Sequence, residues 1–401
     1  MNIFHRYVVR EHIAPFFFAF STIMFVLILK LMLDLMDMVI SKDVNIFVMA
    51  KLLWYNLAWM IALVVPMSVL VATVMAFGRM AADREITAMK AAGISMLKLS
   101  SPIIGLSILI TIFMIWFNNK ILPESNYRAR NLNTAIFLKK PMFSMKNKEG
   151  QFITEIPNLT IHVDKINYAS GDMTGITLFK HDNRSNQIAI RAQSGRFISH
   201  PNESRLTLAL KNGEIHEIDD KNSQRYVRSC FSDFNYNIDF DSSLALGHQA
   251  TKNDRTMTSD EMREEIAKLK QTNTHYQERI NLITANTPGG NAQKRRFQAE
   301  LISNEEKIDK YLVEIHKKNS IPFAAIIFVL VGAPLGILVK RSGASIGIGM
   351  SIGFFMIYYL FLIGGESAGD RMLIAPWLAM WAPNFVLGVF GIGLFIYATR
   401  R

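Results

Sequence analysis

Residues 13–29 read IAPFFFAFSTIMFVLIL, seventeen positions without a charge. At about 1.5 Å of rise per residue, such a run carried on toward Met36 crosses the roughly 30 Å hydrocarbon core of a bilayer. Arg6 and Arg10 precede it, as in a signal peptide. No small-x-small cleavage site follows, however, and the apolar run is too long. The stretch therefore predicts a first transmembrane helix within residues 13–40. Working outward, comparable runs fall at about 52–77 and 102–122, and then at 321–339, 344–363 and 376–398. Half of the 401 residues are hydrophobic, but they are concentrated at the two ends around a polar middle. A soluble chain of this length spreads them more evenly.

The charges orient the spans. Arg6 and Arg10 lie before span one, and Arg79, Arg84, Lys90 and Lys98 between spans two and three. Lys340 and Arg341 lie between spans four and five, and Arg400 and Arg401 close the chain. With six spans all four clusters fall on one face, which the positive-inside rule makes the cytoplasm. Both termini are then cytoplasmic, and residues 123–320 lie outside.

The outside segment changes period twice. From about 141 to 245, LTIHVDKI, GITLFKHD, QIAIRA, RLTLALKNGEIHEI and RYVRSCFSDFNYNIDF alternate apolar and polar positions. Ser170-Gly171-Asp172, Asp182-Asn183, His200-Pro201-Asn202 and Asn212-Gly213 read as turns between them. This predicts an all-β domain, a sandwich or open jelly roll. Cys230, the single cysteine, excludes an internal disulfide and reads as a small buried residue. His162, His181 and His216 have no partners at metal-ligand spacing. From 259 to 320 the spacing becomes four and three. Met262, Ile266, Leu269, Asn273, Tyr276, Ile280 and Ile283 answer Phe297, Leu301, Asn304, Ile308, Tyr311 and Ile315 across Pro288-Gly289-Gly290. That predicts an antiparallel helical hairpin with Ser259 as its N-cap, serving as a stalk or as a docking element. Its second helix runs on toward span four, interrupted near Pro322.

The fold class is thus membrane α + β: six transmembrane helices, three plus three, flanking an outer β-domain, a sandwich or open jelly roll, and a helical-hairpin insertion. Residues 1–125 hold spans one to three, 141–250 the β-domain, 257–320 the hairpin and 321–401 spans four to six.

The chain has no GxxxxGK[ST] phosphate loop, HExxH, GxSxG or CxxC. Catalytic residues, a metal and a cofactor are therefore not expected in this chain. The net charge of +11 comes with no nucleic-acid recognition motif, so cytoplasmic loops and an anionic lipid are its expected settings. The informative cytoplasmic segment is 84–95, REITAMKAAGIS. Ile86 and Met89 share one face of a short helix, and Gly93 supplies its stop. Either it lies on the membrane surface or it is a coupling helix that meets an ATPase. Glu85 favours coupling, because a carboxylate is unwelcome at an anionic surface but pairs well with an arginine in a protein groove.

This segment resembles the coupling helix of the lipopolysaccharide-export permeases, the LptF and LptG family. Leu208-Ala209-Leu210-Lys211-Asn212-Gly213 resembles that family's β-domain pattern. Glu314-Ile315-His316-Lys317-Lys318 with Pro322, Gly332-Ala333-Pro334-Leu335-Gly336, and Pro376 with Trp381-Ala382-Pro383-Asn384 resemble its fourth and last spans. The ordered set covers almost the whole chain; the long hairpin departs from the pattern. The resemblance implies that the β-domain is a periplasmic β-jellyroll, and that the chain belongs to a bacterial inner-membrane complex in which a sister permease pairs with this one. A cytoplasmic ATPase dimer, which holds the ATP, drives the pair. Lateral gates between spans one and five of opposite partners admit lipopolysaccharide. The lipid then passes through jellyroll domains to periplasmic bridge proteins of the same type. Arg84, Glu85, Ile86, Met89 and Gly93 are the implied ATPase-coupling residues.

For the substrate, Lys30 lies well inside span one, and a cation there costs about 2.5–3.5 kcal/mol on insertion scales if it faces lipid. It either faces a cavity or pairs with Asp34, one turn on. Arg128, Arg130 and Lys317 stand at the outer boundary. Together with Lys30 they are a candidate phosphate-binding rim, and the alternative for these three is ordinary interfacial anchoring. Ile161, Val163, Leu178, Ile188, Ile190, Leu206, Leu208 and Leu210 are candidates for an apolar trough, or for a closed core. Other functions compatible with the sequence are export of another envelope lipid or lipoprotein, whose permeases resemble four-span proteins, and a non-transporting envelope scaffold.

Overall fold

The computed structural model describes residues 3–42, 46–139, 149–156, 159–167, 171–180, 186–200, 205–219, 226–239, 252–283, 290–338 and 343–400. Ser170, His181, Asp182, Asn183, Pro201, Asn202, Pro288, Gly289, Lys340, Arg341 and Arg401 from the sequence reading lie outside them.

Six described helices are long and apolar enough to cross a membrane: α1 (Ile3–Lys42), α2 (Ile46–Ala82), α4 (Met96–Lys139), α6 (Gly290–Leu338), α7 (Gly343–Asp370) and α8 (Pro376–Arg400). Two others are shorter, α3 (Glu85–Ala91) and α5 (Ser259–Leu282). The bundle is built around α2 and α6. In their apolar stretches 78% and 72% of residues are buried, against 11% in α1 and 22% in α7. Small residues permit the close approach. A Cβ on Gly336 would stand 2.7 Å from the Val74 carbonyl oxygen and 2.9 Å from the Gly78 nitrogen, and one on Gly332 would press on Thr73.

Two helices outrun their sequence-predicted ends. α4 continues past residue 125 to Lys139, and α6 runs unbroken across 320 and 321. Pro322 removes the donor that would bond to the Lys318 carbonyl. Asn118 Nδ2 on α4 donates to that carbonyl instead, at 3.2 Å, and Thr111 Oγ1 donates to the Pro322 carbonyl at 3.1 Å. With the freed acceptor satisfied from a neighbour, the helix passes through the proline.

The polar middle forms one six-stranded antiparallel sheet, β1 (Phe152–Ile156), β2 (Leu159–Ile166), β3 (Asp172–Lys180), β4 (Asn186–His200), β5 (Arg205–Asp219) and β6 (Tyr226–Asp239). Among the described residues each strand pairs with its neighbours in sequence, an up-and-down meander in which none of the crossovers of a jelly roll is seen. Its inner face forms a single apolar core, from Ile153 on β1 to Ile238 on β6. Asn212-Gly213 is not a turn. β5 runs through it in unbroken register, Lys211 facing Ser194 and Gly213 facing Ala192. Asn212 takes the left-handed region there, φ 50°, and a Cβ on Gly213 would collide with the Arg191 carbonyl oxygen. Cys230 is exposed rather than buried, because it lies in the outermost strand, where residues 226–230 are uncovered.

α5 and the first half of α6 pack antiparallel. Met262 and Ile266 meet Ile308 and Ile315, Asn304 Nδ2 donates to Asn273 Oδ1 at 2.8 Å, and Tyr276 stacks on Phe297. The N-cap is Thr258, not Ser259. Thr258 Oγ1 accepts from the Glu261 N–H while the Glu261 carboxylate accepts from the Thr258 N–H. This full capping box fixes the start of α5 one residue earlier than the sequence suggested. From Lys318 back to Gly290 the helix carries this hairpin about 40 Å beyond the bundle at 1.5 Å per residue.

Candidate functional site

At the end of the bundle away from the sheet, α2 leads into α3 through Asp83 and Arg84. Arg84 takes a left-handed conformation, φ 58°, which turns the chain sharply. α3 then stops at Gly93, φ +80°. The Gly93 N–H bonds to the Lys90 carbonyl at 2.9 Å and the Ile94 N–H to the Met89 carbonyl at 3.0 Å, a Schellman closure that only a residue tolerant of positive φ makes cheaply. Ile86 is 2% exposed and packs with Val8, Phe77, Met80, Met96 and Leu99, with Met89 at the edge of the same cluster. The apolar face of α3 is therefore its anchor to this chain. The face left open carries Arg84, Thr87, Ala88 and Ala91. Thr87, Ala88 and Ala91 were not singled out from the sequence; the helical spacing opposite Ile86 and Met89 is the signal that would have placed them on this open face. Glu85 is half-buried and accepts from the Tyr7 hydroxyl. Lys90 Nζ donates to the Ala398 carbonyl at 2.8 Å, and Arg79 pairs with Glu11.

At the sheet-proximal end, the four predicted cations do not form one rim. Leu31 and Leu35 pack with Met49, Leu52 and Ala129. Lys30 adjoins this contact in sequence on α1, as Arg128 and Arg130 do on α4. Lys30 and Asp34 are both exposed, and among the described residues no ion pair joins them. Arg128 Nε donates to Glu124 Oε1 at 2.7 Å. Arg130 keeps Nη1 buried with no hydrogen-bond partner among the described residues. Lys317 lies elsewhere. Its neighbour Lys318 faces Asn118, ten residues before Arg128 on α4, or about 15 Å along the axis.

Lys317 is also already paired. Its Nζ lies 2.7 Å from Glu366 Oε1 on α7 and 3.5 Å from Glu314 Oε2, and Arg255 reaches the same Glu366 oxygen at 3.4 Å. Lys318 is 2% exposed and donates to the Met257 carbonyl. Glu314, three residues before Lys317, was visible as a partner in the sequence. Glu366 and Arg255 were not, because only the packing of α7 on α6 and of residues 252–258 on both brings them in. Beside them Arg255, Lys310, Glu366, Asp370 and Arg371 border an open groove of about 620 Å³. His162 lies beside Asp164 and the Phe152 ring, and His216 beside Glu214 and Tyr226. No group of three metal-ligating side chains occurs among the described residues.

The trough candidates Ile161, Val163, Leu178, Ile190, Leu206, Leu208 and Leu210 are at most 3% exposed, with Ile188 half-buried beside them. The sheet's apolar face is closed on itself in this structure.

The family model described as lipopolysaccharide export system permease LptF/LptG matches residues 6–397. A comparison with curated proteins returned no significant match.

Proposed function

The chain belongs to the lipopolysaccharide export system permease family LptF/LptG, a family of transporter permeases rather than enzymes, and we propose that it is one permease subunit of an ABC-type complex. In this reading it pairs with a sister permease in the bacterial inner membrane and draws on an ATPase dimer, a separate protein, for ATP hydrolysis. It lifts lipopolysaccharide from the membrane and passes it along the sheet toward periplasmic bridge proteins of jellyroll type. The termini and α3 are cytoplasmic and the sheet periplasmic, which the cluster Arg79, Arg84, Lys90 and Lys98 at the far end of the bundle supports.

The observation that carries this reading is the uneven burial of the spans. In α1 and α7, the first and fifth, few residues of the apolar stretch are buried, while α2 and α6 are enclosed. A pair of open apolar helix faces suits a partner and a lipid path between the two. Lys30, Arg128 and Arg130 are the cations at the rim of that path. Lys317 joins them only when a phosphate competes with Glu366 for it. The closed sheet implies that acyl chains enter by prising its faces apart, each buried CH₂ contributing about 0.8 kcal/mol toward that opening.

Purification from native membranes in mild detergent, with mass spectrometry of co-purifying proteins and lipids, tests the proposal. A second six-span protein, a soluble ATPase and lipopolysaccharide are expected. A different lipid would overturn the substrate, and envelope proteins without an ATPase would overturn the transporter.

A further inference from the structure

α3 has seven residues, follows α2 through the sharp turn at Asp83 and Arg84, and packs on its end through Ile86. A helix this short transmits a push only through what its side chains hold. Besides the packing of Ile86, two side chains hydrogen-bond between α3 and other spans among the described residues. The Tyr7 hydroxyl lies 2.9 and 2.8 Å from the two Glu85 oxygens, so its one proton is shared across the carboxylate. Lys90 Nζ donates to the Ala398 carbonyl on α8. Next to the first contact, Arg79 pairs with Glu11, and Ile86 packs on Val8. Three side chains of the first turns of α1 thus meet α3 or the end of α2 that carries it. The rest of α1 is the least enclosed of the six spans, with 11% of its apolar stretch buried, while 39% is buried in α8.

We propose that Tyr7 is a positioning residue for transport: its hydroxyl ties the coupling helix α3, through Glu85, to the first spanning helix, so that a displacement of α3 moves α1. A hydrogen bond to a carboxylate is shorter and roughly twice as strong as one between neutral groups, which suits a tether bearing load. Of the two spans tethered to α3, α1 has less packing to resist movement and is the one displaced. The proposal rests on the reading of α3 as the ATPase contact. It adds which span receives the motion and through which atom.

Tyr7→Phe keeps the ring and removes the hydroxyl. The full complex with its ATPase, reconstituted in proteoliposomes containing lipopolysaccharide, gives three readouts: ATPase association, ATP hydrolysis, and lipid released per ATP. Association and hydrolysis are expected to stay within about twofold of wild type, while lipid released per ATP falls about tenfold. Placing 4-aminophenylalanine at position 7 restores a donor at the same point and is expected to recover most of the ratio. An unchanged ratio in Tyr7→Phe overturns the proposal. So does a proportionate fall in hydrolysis and release, or weakened ATPase association, either of which makes Tyr7 a support for folding or docking alone. If the wild-type complex releases no lipopolysaccharide, the transport reading itself has failed, and that is seen before any variant is made.

Discussion

The pair α2 and α6 and the pair α1 and α7 are all apolar enough to span a bilayer, yet one pair is mostly buried and the other mostly not. Glycine shows the contrast at atomic scale. On α6, Gly336 lets the backbone of α2 approach until a methyl group would not fit, and Gly332 sits close against the Thr73 side chain. On α7, Gly349 and Gly353 have the same four-residue spacing and meet nothing within 4 Å. Around them Ile352, Met356, Leu360 and Phe361 are exposed, as Phe25, Leu29 and Leu33 are on α1. Hydropathy registers only that a helix avoids water. Which apolar helix is spine and which is flank depends on where small residues let backbones meet. In lipid that close packing, rather than the hydrophobic effect, holds helices together.

Filling the spine is the change with the largest expected effect. Gly336→Leu places a side chain against the Val74 carbonyl and the Gly78 nitrogen, both backbone atoms that cannot swing aside. A loss of at least about 2 kcal/mol is expected, with collapse of monodisperse yield in detergent. Gly353→Leu, on the open stripe of α7, is expected to leave yield and melting temperature unchanged in the isolated chain. Equal damage from both would erase the distinction between spine and flank.

The charged junction where spine meets flank comes next. Glu366→Gln leaves Lys317 with Glu314 alone and loosens α7 from α6. Both partners of the lost pair are about a fifth exposed, so the penalty is placed at about 1–3 kcal/mol, below that of a fully buried pair. Added lipopolysaccharide should raise the melting temperature of this variant more than that of wild type, because its phosphates take the vacated place on Lys317. Equal shifts would show that Lys317 is purely structural. A smaller effect is expected on the flank itself. Phe25→Ala should change the stability of the isolated chain by less than about 0.5 kcal/mol. It should also cut the yield of the co-purifying sister permease severalfold, whereas unchanged recovery would remove α1 from the contact.

The sequence carried the spans because charge-free runs of this length have few other uses. It carried the hairpin because Asn273 and Asn304 sit at matching core positions in two heptad-like patterns, and the structure joins them by a hydrogen bond. What it did not carry are contacts between residues far apart in the chain. Pro322 looks like an interruption until Asn118, some two hundred residues earlier, is seen donating to the freed carbonyl. Asn212-Gly213 has the composition of a hairpin turn but lies inside a strand, where the close carbonyl of Arg191 excludes a Cβ at Gly213. Lys317 reads as a rim cation because Glu366, its nearest carboxylate, arrives from an element some fifty residues away. At α3 the residues were legible but the direction they face was not. Ile86 and Met89 share one face, as their spacing predicts, and that face packs on this chain's own core.

The smallest expected effect concerns the hairpin, which belongs to neither spine nor flank although α6 carries it straight out of the spine. Its attachment rests on the capping box of Thr258 and Glu261 and on Lys252, whose Nζ lies 2.6 Å from Glu261 Oε1. Burial raises the Glu261 pKa, but Lys252 and the Thr258 N–H outweigh it and hold the carboxyl below the usual carboxylate range. A carboxyl with a depressed folded pKa contributes stability that is present above its unfolded value, about 4.3, and lost as the pH falls through the folded one. Thr258→Ala removes the acceptor for the Glu261 N–H and should cost about 1 kcal/mol, felt locally. Hydrogen exchange should therefore quicken in the first turns of α5 in this variant at neutral pH, with the amides of α2 unaffected. In wild type the same α5 amides should lose protection on acidification below that pH range, and in Lys252→Met they should lose it at a higher pH. If the protection of α2 changes in step with that of α5, the hairpin and the spine unfold as one unit. The stalk then cannot yield without the bundle.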